Sequence, residues 1–191
     1  MSDSSLSPDA ENANTRRGIR WDALAAIIAS LVGLLALVVA GYTAYIERQQ
    51  VRAQVWPYLE AGYSGSFYHY VWINRGVGPA VVKSVQVLVN GEPQQNWKTV
   101  QRALRIPPFQ YHQSGLSGTV VSPGQTLQWL TFEKKADYEN FSRAADQANV
   151  QTKVCYCSTL GDCWMNDSAK KDPRVSVGQC PAVPESQQFQ D

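Results

Sequence analysis

Charge is what this chain has least of. Charged residues make up 17% of its 191 positions and the formal net charge is +1, against about 25% charged in an ordinary soluble domain. A near-neutral balance offers no electrostatic case for a nucleic acid, so no such partner is expected. Histidine is nearly missing, with only His69 and His112. Neither has a carboxylate close in sequence, and general acid–base chemistry needs a partner within hydrogen-bond reach. The chain contains no H-E-x-x-H, no phosphate-binding glycine loop followed by lysine, and no acidic calcium loop. Gly115-Leu116-Ser117-Gly118 lacks one residue of the G-x-S-x-G nucleophile elbow. With no catalytic constellation, the expectation is a protein that is not an enzyme, with no cofactor and no metal.

One run lacks charge altogether. Residues Ala23 to Ile46 are apolar with no charged side chain among them, long enough for a helix to cross a hydrocarbon core of about 30 Å. Trp21 marks one interface, and Tyr42 and Tyr45 the other. Arg16, Arg17 and Arg20 precede the run while Arg48 and Arg52 follow it. That bias favours an N-terminus on the cytoplasmic side. A cleaved signal peptide is the rival reading, with Val38-Val39-Ala40 as its cleavage site. The apolar stretch exceeds the roughly 7–15 residues of a signal core, which favours a retained anchor.

The expected organisation follows from this anchor. Residues 1–20 read as a disordered cytoplasmic tail, 21–46 as a transmembrane helix and 47–55 as a helical stalk, since nothing breaks the helix before Pro57. About 135 residues remain, enough for one domain with a real core. We assign it to 56–183, with 184–191 as a flexible tail. Ala25, Ala29 and Gly33, then Ala36, Ala40 and Ala44, recur at four-residue spacing. Small residues at that spacing let two membrane helices approach closely, so a homo-oligomer through this helix is a candidate, although alanine is common in such helices anyway.

Beyond Pro57 the hydrophobic period is mostly two. Phe67, His69, Val71 and Ile73 alternate with Tyr68, Tyr70, Trp72 and Asn74, giving a strand with large side chains on both faces. Val81, Val85, Val87 and Val89 mark a second strand ending at Asn90-Gly91, a dipeptide suited to a tight hairpin. Ser122-Pro123-Gly124 is another turn, and TLQWLTF after it a third strand. A fourth runs from Val150 to Tyr156. Only 133–149 has helical spacing, through Tyr138, Phe141, Ala144, Ala145 and Ala148. The segment 98–118 supports no single reading, and Pro107-Pro108 must interrupt any regular element there. Strands separated by Gly/Pro turns, with one short helical insert, predict a mainly β fold, a β-sandwich.

All four cysteines fall in the last quarter, at positions 155, 157, 163 and 180. An even count beyond a membrane anchor suggests two disulfides in an oxidising compartment. Of three pairings, we favour Cys157–Cys163 closing a tight loop and Cys155–Cys180 pinning the C-terminal segment, because neighbours two apart on a strand seldom bridge. The second loop contributes about 3 kcal/mol in the chain-entropy model. A tetrathiolate zinc site and a redox role are the alternatives. The gaps of one and five residues fit structural zinc poorly, and C-x-x-C is missing.

Asn74-Arg75-Gly76-Val77-Gly78-Pro79-Ala80 reads as a rigid corner between two strands, with Asn74 able to hydrogen-bond the backbone and hold the turn. This N-x-G-x-G-P-A corner, the strand ending in Asn-Gly and the later Pro-Gly before another strand resemble bacterial Ig-like domains. They are similar to those of uncharacterised single-pass membrane proteins and, more loosely, to the cell-adhesion-related CARDB type. The resemblance covers 56–132. It implies an Ig-like β-sandwich that binds or scaffolds without catalysis, held at a bacterial inner (cell) membrane with its C-terminal domain periplasmic or extracellular. The helix at 133–149 and the cysteine-rich end depart from a minimal Ig-like domain. Aromatics on both parities of 67–72 make Tyr68, Tyr70 and Trp72 the candidate interaction surface. Two functions fit this chain: an accessory subunit that binds a protein partner, or an anchored module for a glycan or small ligand.

Overall fold

The computed structural model describes residues 21–190, so the expected cytoplasmic tail at 1–20 lies outside the described residues. The chain divides into two compact units, with the boundary between Glu47 and Arg48. Helix α1 spans Trp21–Gln54 and passes through that boundary without a break. Its apolar side chains are exposed throughout, as a helix long and apolar enough to cross a membrane would have them. It stops where expected. Pro57 disfavours helical backbone at the residue before it, and Val55 N–H closes the last turn on the Val51 and Arg52 carbonyls.

The second unit is mainly β, in two antiparallel sheets. The first runs β1 (Leu59–Ser64), β2 (His69–Asn74), β7 (Thr126–Phe132) and β5 (Tyr111–Gln113) in spatial order. The second runs β10 (Arg174–Val177), β9 (Cys163–Asp167), β8 (Gln151–Cys157), β3 (Ala80–Val89) and β4 (Glu92–Gln94), with β6 (Val120–Val121) also paired to β3. The run TLQWLTF forms β7 in full. Asn90 and Gly91 take φ of 52° and 86° in the β3–β4 hairpin, the left-handed values that favour this dipeptide.

One hydrophobic cluster draws on both sheets. Trp72, Leu127 and Trp129 come from the first, and Val82, Val85, Val87, Val154 and Tyr156 from the second. The chain crosses between the sheets at the corner 74–79, and Asn74 is its centre. Its side-chain oxygen accepts from the backbone N–H groups of Tyr58 (3.1 Å) and Gly76 (3.0 Å). Its amide nitrogen donates to the carbonyls of Gly78 (2.8 Å) and Val121 (2.9 Å). Every bonding direction of a fully buried polar group is thus used. Gly78 has no room for a side chain, because an added Cβ would run into the backbone of Val55.

The helix expected at 133–149 forms as α3 (Lys135–Gln147), with Tyr138 and Phe141 buried. The structure departs from the sequence reading in two elements. A further helix, α2 (Trp97–Leu104), lies in the segment that had no reading. Asn96 caps it by accepting from Thr99 N–H (3.0 Å), while Thr99 Oγ1 accepts from Asn96 N–H (3.2 Å). Trp97, Val100, Gln101 and Leu104 form its buried face, and Arg105 ends it in the left-handed region at φ 56°. The expected flexible tail at 184–191 is also corrected over its described residues, 184–190. A 3-10 turn occupies Glu185–Gln187, and Phe189 is fully buried, 4.9 Å from the Trp97 ring and 5.7 Å from Trp129. The backbone N–H of Phe189 bonds to Val85 O at 2.8 Å, and that of Gln190 to Gln95 O at 2.7 Å. Aromatic burial, together with these bonds, fixes the segment.

Candidate functional site

Parity along β2 decides what its hairpin with β1 presents to solvent. Tyr70 and Trp72 share a face, and that face turns inward. Trp72 is 1% exposed, its ring 6.1 Å from Trp129. Tyr70 is half-buried among Phe132, Tyr138 and Phe141, with ring centroids 5.7–6.3 Å apart. Tyr68, in the turn at φ 52°, leans on Tyr138 at 6.0 Å. The candidate surface of Tyr68, Tyr70 and Trp72 is therefore corrected: Trp72 is core, and the two tyrosines line the core's edge.

The exposed aromatics of this hairpin are Tyr63 and Phe67, at 76% and 70%. The register sets Tyr63 opposite Tyr70 and Ser64 opposite His69, which leaves Gly65 to Tyr68 as the turn. Phe67 folds back onto the His69 ring, stacked at 5.7 Å. Tyr63 also opens onto a hollow of about 220 Å³ that Tyr70, Ser142 and Asp146 complete. Burial pushes the Tyr70 hydroxyl above its ordinary range, and a hydrogen bond with Ser142 opposes that shift. The hollow is lined by hydroxyls, one carboxylate and ring faces. Period-two alternation shows which residues share a face but not which face is inside, so the sequence pointed to the wrong parity of β2.

The cysteines pair as the favoured reading had them. Cys155 joins Cys180, and Cys157 joins Cys163, its register partner across β8 and β9. The two bridges touch, with Cys157 Sγ 3.7 Å from Cys180 Sγ. The sulfurs of Cys157, Cys163 and Cys180 all lie within 4.8 Å of one another. As disulfides they are not the thiolates that zinc coordination requires.

The histidines part company. His69 is held in the hairpin. His112 gains through the β5–β7 pairing the carboxylate that its sequence neighbourhood lacks, with Nε2 3.4 Å from Glu133 Oε1. That pair stands in open solvent, where ion pairs contribute little. A further polar group ties the sheets together. The Tyr156 hydroxyl accepts from Leu59 N–H (3.3 Å), and Asn166 Nδ2 donates to Leu59 O (3.2 Å). Burial raises the Tyr156 pKa, while the Leu59 bond and the Arg174 charge oppose the rise. Arg174 lies over the Tyr58 and Trp56 rings, at 3.9 and 5.0 Å from their centroids.

Comparison with known protein families, curated proteins and solved structures finds no match for this chain.

Proposed function

We propose that this protein is a membrane-anchored accessory subunit, whose disulfide-bonded Ig-like β-sandwich binds a protein partner and carries out no catalysis of its own. The apolar α1 holds it in a bacterial inner (cell) membrane, with the N-terminus cytoplasmic and the β unit periplasmic or extracellular. Two disulfides fit that oxidising side. The observation that carries the reading is the β1–β2 hairpin, which holds Tyr63 and Phe67 more than two-thirds exposed. Exposed aromatics at the tip of a hairpin supply large contact area at low conformational cost, the usual make-up of an interface anchor.

A second reading rests on the hollow beside Tyr63. Ring faces with the Tyr70 and Ser142 hydroxyls and the Asp146 carboxylate suit a polyhydroxylated ligand. In that case the unit is an anchored module for a glycan or small molecule.

Cross-linking the full-length protein in its native membranes, followed by mass spectrometry without reduction, tests the first reading. A recurrent heterologous partner joined near residues 60–70 is expected, and Phe67→Ala should weaken its capture at least fivefold while leaving stability within about 0.5 kcal/mol. Self-links alone, or none, would overturn the accessory-subunit reading and favour the ligand module. Saturable binding of a peptidoglycan fragment, lost on Asp146→Asn, would then support the second.

A further inference from the structure

The two disulfides meet beside a cleft of about 380 Å³ that neither reading of function uses. Cys157 and Cys180, one from each bridge, line it together with Lys83, Ser84 and Val183. Their sulfurs are 3.7 Å apart, in contact without a bond. Strand geometry explains the juxtaposition. Cys155 and Cys157 are two apart on β8, so they share the face opposite the core residues Val154 and Tyr156. Cys180 is bonded to the first and touches the second. It is half-buried where the other three cysteines are buried, so the cleft is where a thiol in solution meets this sulfur cluster. Lys83 is exposed and enters no ion pair among the described residues. A cation beside a sulfur favours the thiolate, the form that attacks.

We propose that this cleft is a thiol–disulfide exchange site for a dithiol, where opening either bridge leads to one new pairing, Cys157–Cys180. Exchange proceeds by thiolate attack on a disulfide sulfur through a mixed disulfide. One thiolate of the dithiol bonds to Cys157 Sγ, and Cys163 leaves as a thiolate. The second thiol of the dithiol closes on the first and releases Cys157 as a thiolate. Cys157 then attacks its neighbour Cys180, so the Cys155–Cys180 bond breaks as Cys157–Cys180 forms. Entry at Cys180 ends at the same place, since the freed Cys180 thiolate displaces Cys163 from Cys157. In sum the dithiol becomes a disulfide. Its two electrons and two protons pass to Cys155 and Cys163, which end as thiols. Cys180 has only moved between neighbours on one strand face, so the C-terminal segment stays on β8 while the loop 158–162 loses its closing bond. No C-x-x-C is needed, because the fold brings the exchanging sulfurs together. The exchange is independent of the partner and ligand readings, using neither the hairpin nor the hollow.

The test adds dithiothreitol stepwise to the full-length protein in lipid nanodiscs and quenches with acid. Free thiols are labelled with N-ethylmaleimide in denaturant, and the remainder with iodoacetamide after full reduction. Fragment-ion mass spectrometry then assigns a label to each cysteine. In molecules carrying two maleimides, the pair Cys155 and Cys163 should exceed any other by about fivefold. Maleimides mainly on Cys157 with Cys163, or on Cys155 with Cys180, would mean that the bridges open independently, and would overturn the exchange. Passage from two bridges to four thiols with no two-thiol species would overturn it too. Cys163→Ala gives a check without reductant, because it leaves Cys157 free beside the Cys155–Cys180 bridge. The maleimide should then reach Cys155, and a label confined to Cys157 would contradict the proposal.

Discussion

The two sheets of the β unit are secured by different chemistry. The first relies on rings. Tyr70, Trp72, Trp129 and Phe132 of β2 and β7 pack with Trp97, Tyr138, Phe141 and Phe189 from outside the sheet. No cysteine lies in any of its strands. The second sheet meets the core mostly with short valines beside Tyr156. One bridge joins its neighbouring strands β8 and β9, and the other ties β8 to the C-terminal segment. The contrast follows from what each sheet has to bury. Aromatic faces remove a large apolar area from water, at about 25 cal/mol per Å². The segment 164–180 is poor in apolar residues, and a crosslink restricts its unfolded chain instead.

The sharpest way to break this comparison is to remove a ring. Trp72→Ala should cost about 3–5 kcal/mol, and denaturant unfolding should show both sheets lost in one transition, since they share the cluster. Two separate transitions would mean that the sheets are independent. Removing the longer crosslink with Cys155→Ala and Cys180→Ala should cost about 3 kcal/mol or less. Hydrogen exchange should then accelerate in β9, β10 and 178–183 while β2 and β7 keep their protection. Acceleration spread evenly over both sheets would contradict the division.

The smallest effect concerns alkaline pH. Tyr70 in the first sheet and Tyr156 in the second both hold their protons more tightly when folded than an ordinary tyrosine. The folded state therefore binds more protons than the unfolded one above about pH 10, and stability falls as pH rises from there toward the raised folded values. Below that range the contribution is fully present. Tyr70→Phe should flatten the decline, read as denaturant midpoints between about pH 9 and pH 11. Tyr156→Phe should flatten it too, but at an added cost at neutral pH, because Leu59 N–H loses its acceptor inside the core. An unchanged slope in Tyr70→Phe would assign the alkaline loss elsewhere.

Much of the fold was legible wherever a rule acts over a few consecutive residues. The charge-free run gave α1, alternation gave β3, β7 and β8, and Asn90-Gly91 gave the hairpin. The corner at Asn74 was readable because Asn, two Gly and Pro each constrain the backbone in a known way. Helix α2 escaped since it has only eight residues, too few for periodicity to stand out beside Pro107-Pro108. Its signals were present all the same, in the Asn96–Thr99 cap and the spacing of Trp97, Val100 and Leu104. Phe189 left no pattern at all. One aromatic in a polar stretch finds its place only through tertiary packing. The candidate surface failed for a related reason: with large rings on both parities of β2, only the position of Trp129 and α3 decides which side is inside.

The corner at Asn74 also determines how the domain would bear a pull. Residues 55–58 link α1 to the β unit, and the corner grips them through several backbone bonds: Val77 and Gly78 N–H to Trp56 O at 3.0 and 3.1 Å, and Arg75 N–H to Tyr58 O at 2.8 Å. Tension between a membrane and a bound partner would enter the domain here. It would load these bonds and the Asn74 side chain before it reached the end of β1 at Leu59. The same few residues that close the corner would thus also serve as the clasp of the tether, since residues 55–58 have these bonds to break before the strand itself is reached.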